Sequence, residues 1–125
     1  MWKGEITMDQ SKEMAKLAFE ALDDKKGEDI KVIKVDEISV LADYFIISNG
    51  TNTSQVQALV DSVDEKLGNA GFHPQRIEGI GNASWVLMDY GDIIVHIFSQ
   101  EDRLFYDLER IWRDGIVISK EDLGL

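Results

Sequence analysis

The segment from Ser48 to Ser54 holds residue types that can bind phosphate: hydroxyl side chains, amides and a glycine, placed before a helical pattern. Amide groups at a helix N-terminus can hold an anion. The segment lacks the Gly-Lys-Ser/Thr ending of a P-loop, however, and the chain has no Asp-x-Asp pair to bind magnesium. Helix capping is the favoured interpretation. The alternative is a magnesium-dependent nucleotidyl or phosphoryl transferase, with Asp89 and Asp92 as its acids.

Asp89, Asp92 and His96 are the nearest approach to a metal-binding set in the sequence. A strand rises about 3.3 Å per residue, so His96 is expected roughly 10 Å or more from Asp92, too far to share one ion. His73 stands beside Pro74 with no evident acid or base partner, and no spacing suggests a Ser-His-Asp set. We therefore expect no catalytic residue, no metal and no cofactor.

The segment from Ser84 to Ser99 predicts a two-stranded hairpin whose two faces differ in chemistry. Its turn is Tyr90-Gly91 or Gly91-Asp92, and either choice gives the same two faces. One face is ordinary core: Val86, Met88, Ile93, Val95 and Ile97. The opposite face, called the hairpin face below, carries Trp85, Leu87, Asp89, Asp92, Ile94, His96 and Phe98.

The hairpin face is too polar for a core and too aromatic for a plain solvated surface. If it were buried, its two acids and its histidine would each need a buried partner. An exposed aromatic patch with an acidic rim is typical of protein-binding sites. We therefore expect this face to be open and to bind a partner or a second copy of the chain. Burial beneath helices that cover both faces of the sheet is the alternative.

Composition narrows the choice of partner. The chain has 13 Lys and Arg against 24 Asp and Glu, a net charge of −11. Nucleic acid and anionic membranes are poor direct partners for such a chain, whereas a basic protein is a good one. Acidity for solubility alone is the alternative. No cysteine is present, no apolar run approaches the roughly 20 residues of a membrane span, and the start lacks a secretory or transit pattern, so we expect a cytoplasmic protein.

A length of 125 residues predicts a single domain (1–125), with its core at about 8–113 and a C-terminal tail at 115–125. The fold class expected is α/β (α+β), a mixed sheet of about five strands flanked by helices. The predicted elements are a helix from Met8 to Lys26, strands at Ile30–Val35, Leu41–Ser48 and Gln75–Gly79, the hairpin, a second helix after Ser54 and a third at Glu101–Arg113.

Local signals set the expected ends of the helices. Asp9 or Ser11 is the predicted N-cap of the first helix and Gly27 its stop, while Gly68 or Gly71 ends the second. The second helix should bury the stripe Val56, Leu59, Val60, Val63 and Leu67.

Two long stretches resemble the signatures of a known family. The first is LADYFIISNGT at 41–51, and the second is WVLMDYGDIIVHIF at 85–98, continuing as RLFYDLERIW at 103–112. In this order they resemble the ribosomal silencing factors, the Iojap-like family. The resemblance covers about residues 8–112.

The resemblance implies a domain shaped like a nucleotidyltransferase without its catalytic acids. It also implies a non-enzymatic translation repressor that binds the large ribosomal subunit through its fourteenth protein and blocks joining with the small subunit. Free members of this family are often homodimers. By motif, partner binding carries over to Trp85, Leu87, Asp89, His96, Phe98 and Tyr106. The hairpin-face argument adds Asp92, Ile94 and Glu109.

Overall fold

The computed structural model describes residues 3–36, 42–79, 85–100 and 114–125 and, within these ranges, the side chains from residue 10 onward. Its elements are α1 (Lys3–Asp24), β1 (Glu28–Lys34), β2 (Tyr44–Gly50), α2 (Thr53–Asn69), β3 (Arg76–Glu78), β4 (Trp85–Asp89), β5 (Ile93–Ser99), β6 (Ile116–Ile118) and a 3-10 turn (Glu121–Leu123). The third helix predicted at Glu101–Arg113 lies outside the described residues. None of the described helices combines the length and the apolar character that a membrane span requires.

The described strands form one mixed sheet in the order β3-β4-β5-β2-β1-β6. β2 and β5 pair in parallel, and the other neighbouring pairs are antiparallel. The expected α+β architecture is therefore confirmed. The sheet has six strands rather than about five because the tail contributes β6, which pairs with β1 through Val117 and Ile33.

Helix α1 begins before both predicted cap positions. Ser11 lies inside the helix, is fully buried, and donates a hydrogen bond from Oγ to Asp43 Oδ2 at 2.6 Å. The prediction that Asp9 or Ser11 caps this helix is therefore wrong. The Ser11 hydroxyl makes a contact 32 residues away in sequence, which no local capping pattern can reveal.

The turn after α1 brings the chain close to β2. The helix ends at Asp24, Lys26 adopts a φ of 60°, and the Gly27 amide donates to the carbonyl of Leu22 at 2.8 Å. A Cβ at Gly27 would lie 2.7 Å from Ser48 Oγ. The glycine predicted as a stop is thus required by a close approach between two elements.

Helix α2 follows its predicted pattern closely. Asn52 caps it by accepting a hydrogen bond from the Gln55 amide, and the helix ends at Asn69, between the two glycines predicted to stop it. The predicted stripe is confirmed because all its members are buried: Val56, Leu59, Val60, Val63 and Leu67. This stripe packs the helix against the sheet.

The two faces of the sheet belong to different apolar clusters. Both helices pack on one face, together with the predicted core side of the hairpin. The other face carries the second cluster: Ile33, Val35, Ala42, Phe45, Ile47, Ile94 and Phe98, with Trp85 and Leu87 packed against it. The hairpin face is therefore one part of a larger apolar surface that β1 and β2 extend.

Candidate protein-binding face

The hairpin has the two faces that its sequence predicts. The Tyr90 amide donates to the carbonyl of Ile93 at 3.0 Å, so the loop residues are Gly91 and Asp92. The register pairs Trp85 with Phe98, Leu87 with His96 and Asp89 with Ile94. The opposite side is confirmed as core because its residues are at most 1% exposed: Val86, Met88, Ile93, Val95 and Ile97.

Three of the seven residues of the hairpin face are buried, which corrects the expectation that all of it is open. Phe98 is fully buried, and Ile94 and His96 are 7% and 6% exposed. The parallel pairing with β2 places Phe45 beside Ile94 and Ile47 beside His96, and Phe45, Ile47 and Ile94 all belong to the second cluster. The alternation along the hairpin carries no information about β2, so the sequence could not show that these side chains are buried by its pairing with β5.

The outer strand of the hairpin keeps its side chains partly exposed. Trp85, Leu87 and Asp89 on β4 are all of intermediate exposure, as is Asp92 in the turn. They form a margin where the second cluster meets solvent. This margin is the part of the hairpin face that a partner can reach in the described structure.

Trp85 contacts two buried rings of the neighbouring strand β5. Its indole stacks on Phe98, with ring centroids 5.2 Å apart and an interplanar angle of 24°. The indole Nε1 donates a hydrogen bond to His96 Nδ1 at 3.2 Å. A partly exposed tryptophan whose ring is held in this way would lose little conformational freedom on binding a partner, which favours affinity.

His96 is neutral in this arrangement. Its Nδ1 accepts from Trp85, so the ring proton is on Nε2. Burial lowers the pKa of His96 to about 4, because the charged imidazolium is poorly solvated there. Among the residues that the structure describes, Nε2 has no hydrogen-bond partner. The histidine therefore acts as an acceptor that orients Trp85, and it does not carry charge at neutral pH.

Asp89 lies at the acidic rim of the face and is held in place. Its Oδ1 accepts the Gly91 amide at 2.8 Å, and its Oδ2 lies 3.6 Å from Arg76 Nε. Arg76 Nε also lies 3.2 Å from Glu78 Oε2. Sequence reasoning missed Arg76 and Glu78. The available signal was the short strand around Gln75–Gly79, but its pairing partner was not predicted.

Asp92 lies at the turn beside the start of β2. The Asp43 amide donates to its backbone carbonyl at 2.8 Å. Burial raises the pKa of the Asp92 carboxyl, and the nearby charge of Asp43 raises it further. Asp92 therefore belongs to the strand-end packing more than to the group around Trp85. The two remaining predicted contacts, Tyr106 and Glu109, lie outside the described residues.

The loop before α2 uses its polar groups internally. The Thr51 amide donates to Gln55 Oε1 at 2.7 Å, and Asn52 Oδ1 accepts the Gln55 amide. Asn49 donates from Nδ2 to Glu28 Oε1 at 2.8 Å. The capping interpretation of this loop is confirmed. Across the described ranges, no group of three histidine or acidic side chains is placed to hold a metal ion.

Comparisons with known proteins agree with the two motifs. A family model described as "Ribosomal silencing factor during starvation" matches residues 8–124. A Bacillus subtilis protein named ribosomal silencing factor is 40% identical over 104 residues, covering 83% of this chain and 88% of its own length. A mouse protein named for mitochondrial assembly of the ribosomal large subunit is 30% identical over 91 residues, covering 70% of this chain and 40% of its own.

A solved structure shows that the similarity includes the fold. The crystal structure of a Chromobacterium violaceum protein superposes with a TM-score of 0.78 at 40% sequence identity. The match covers 81% of this chain and 84% of that one. The arrangement of helices and strands described above is therefore shared with that protein.

Proposed function

This chain belongs to the ribosomal silencing factor family, and from that premise we propose that it is a non-enzymatic translation repressor. It binds the large ribosomal subunit through a basic ribosomal protein, the fourteenth of that subunit, and sterically blocks joining with the small subunit. The names of the bacterial and mouse relatives, which refer to ribosome silencing and to the large subunit, support a ribosomal partner.

The observation that carries this proposal is the partly exposed Trp85, which stacks on Phe98 and shares a face of β4 with the held carboxylate of Asp89. A tryptophan at the centre of an interface typically contributes about 2 kcal/mol or more to binding. Leu87 extends its apolar area, and Asp89 matches a basic surface. The contact role is thus proposed for these three residues.

The other predicted contact residues have different proposed roles. Ile94, His96 and Phe98 support the contact residues from beneath, since all three are buried. Asp92, Tyr106 and Glu109 remain proposed contacts at the rim. The net charge of −11 repels ribosomal RNA and so favours docking on an exposed protein surface.

The test uses purified large and small ribosomal subunits of Bacillus subtilis. The chain is incubated with large subunits, pelleted, and the bound fraction measured; small subunits are then added and the paired fraction is measured by sedimentation. We expect the chain to pellet with large subunits and to lower the paired fraction. Adding the chain after the subunits have joined is the control, and it should have a smaller effect. Normal pairing in the presence of bound chain would contradict the steric mechanism.

The competing hypothesis was a magnesium-dependent nucleotidyl or phosphoryl transferase. It requires free amides at the start of α2, but the Gln55 amide is taken by Asn52 and the Thr51 amide by the Gln55 side chain. A rise in melting temperature with nucleotide and magnesium would support the enzyme; an unchanged melting temperature is expected.

We also propose that the free chain is a cytoplasmic homodimer built from the single domain 1–125. Ile116 and Val117 on the edge strand β6 are 56% and 57% exposed, and an edge strand with apolar side chains is prone to pair with another chain. Light scattering after size exclusion measures the mass directly. A monomer mass at micromolar concentration would contradict the dimer.

A further inference from the structure

A small notch opens at the margin of the hairpin face, between the ends of β3 and β4. It has a volume of about 190 Å³ and is lined by Glu78, Gly79, Trp85 and Leu87. Gly79 has a φ of +87°, and a Cβ at this position would clash with the backbone oxygen of Trp85. The notch therefore combines an aromatic and aliphatic wall with one carboxylate at its rim.

Glu78 at the notch and Asp89, two residues beyond Leu87 on the same face of β4, both contact a guanidinium of the chain itself. Arg76 Nε lies 3.2 Å from Glu78 Oε2 and 3.6 Å from Asp89 Oδ2. Arg76 and Asp89 are direct cross-strand partners, and Glu78 pairs with Leu87 on the same face. One guanidinium thus bridges two carboxylates at the edge of the hairpin face.

This internal ion pair is easily exchanged. The side chains of Arg76 and Glu78 are 63% and 58% exposed, and ion pairs so exposed are screened by water. Asp89 differs because its side chain is only 19% exposed and its other oxygen is held by the Gly91 amide. An incoming cation would therefore meet one carboxylate held by the chain and one exposed carboxylate, with a resident cation that is weakly held.

On the basis of the proposed function, we infer that the notch receives an arginine side chain of the basic partner, which packs against Trp85 and replaces Arg76 on Glu78 and Asp89. Arginine suits both surfaces because its planar guanidinium stacks on aromatic rings and offers paired N–H donors to carboxylates. A phosphate is a poor occupant because Glu78 and Asp89 would repel it. Arg76 then serves as an internal counter-ion that the partner displaces.

The first test removes the charge of the exposed acid, Glu78. Glu78→Gln is compared with the wild-type chain for binding to large ribosomal subunits of Bacillus subtilis, by pelleting over a range of chain concentrations. We expect about tenfold weaker binding, the size of one close interfacial charge pair. Glu65→Gln is the matched control, since Glu65 is an exposed acid on α2, which packs on the opposite side of the sheet. It should bind as the wild type does.

The second test removes the resident cation. Arg76→Gln should bind about threefold more tightly, because the partner no longer displaces an internal ion pair. Lys12→Gln on α1 makes the same change of charge at an exposed site and should have little effect. Weaker binding by Arg76→Gln would mean that Arg76 itself contacts the ribosome, and it would overturn the exchange.

The outcomes separate this inference from the function on which it rests. If the wild-type chain does not pellet with large subunits, the proposed function fails and the inference fails with it. If the wild type binds and Glu78→Gln binds equally well, the inference alone is overturned. Circular dichroism and melting temperatures of all four variants establish that each one is folded.

Discussion

The loop before α2 and the hairpin face are both rich in polar groups, but they use them differently. In the loop, the Thr51 and Gln55 amides and the Asn49 side chain all bond within the chain. On the hairpin face, His96 Nε2 is buried without a partner among the described residues, and Trp85 stays partly exposed. Polar groups that are satisfied internally are typical of a structural element, whereas an aromatic side chain that stays partly exposed is typical of a binding face.

The pH dependence of stability gives the largest expected difference between the two regions. The folded pKa of His96 is about 4, against 6.5 for the unfolded chain, so the unfolded state binds its proton first as pH falls. The contribution of neutral His96 to the free energy of unfolding is therefore complete above about pH 6.5. The free energy of unfolding falls by about 3 kcal/mol as the pH falls to about 4. Urea unfolding at a series of pH values between 6.5 and 4 measures this change in the free energy of unfolding.

His96→Phe isolates this contribution. The substitution keeps a ring of similar shape but cannot be protonated, so the loss of stability between pH 6.5 and 4 should shrink by about 3 kcal/mol relative to the wild type. Asn52→Ala in the loop should leave the pH profile unchanged, since Asn52 does not titrate. Equal pH profiles for the wild type and His96→Phe would contradict the buried, neutral histidine.

Removal of the tryptophan should affect binding more than stability. Trp85→Ala should weaken pelleting with large subunits about 30-fold, corresponding to about 2 kcal/mol for a central interface tryptophan. Phe72→Ala is a matched control, because Phe72 is also a partly buried aromatic residue but packs against the helix-covered cluster. Unchanged binding by a folded Trp85→Ala chain would remove Trp85 from the proposed contact surface.

The orientation of Trp85 by His96 can be tested separately. His96→Phe removes the acceptor for the indole N–H, whereas His96→Gln retains an acceptor oxygen. We expect His96→Phe to weaken ribosome binding about fivefold and to shift the tryptophan emission maximum, with partial recovery of both in His96→Gln. If both variants weaken binding equally with no change in emission, His96 contributes packing alone.

Loss of the helix cap should have the smallest effect and should be confined to stability. Asn52→Ala removes the side-chain oxygen that accepts the Gln55 amide and should destabilise the chain by about 1 kcal/mol. Binding to large subunits should be unchanged, because Asn52 caps α2, which packs on the side of the sheet opposite the hairpin face. A clear loss of ribosome binding by the folded variant would contradict the conclusion that the loop before α2 is structural and that only the hairpin face binds.

The sequence predicted the local patterns well because their signals have a fixed period. The alternation along β4 and β5 separated the two hairpin faces correctly, and the stripe at Val56 to Leu67 located α2. Capping at Asn52 was also predictable, since the donor and acceptor are three residues apart. Errors arose where the partner is distant in sequence, as for Ser11 with Asp43.

The candidate site shows the same division. The sequence by itself determined the family motifs, the face that carries Trp85 and the acidic balance of the chain, because these depend on residue identity and short-range spacing. Only the tertiary structure decided that Phe98 and His96 are buried and that Arg76 bridges Glu78 and Asp89. Those outcomes depend on which strands become neighbours in the sheet, and strand pairing joins residues whose separation in sequence leaves no periodic signal.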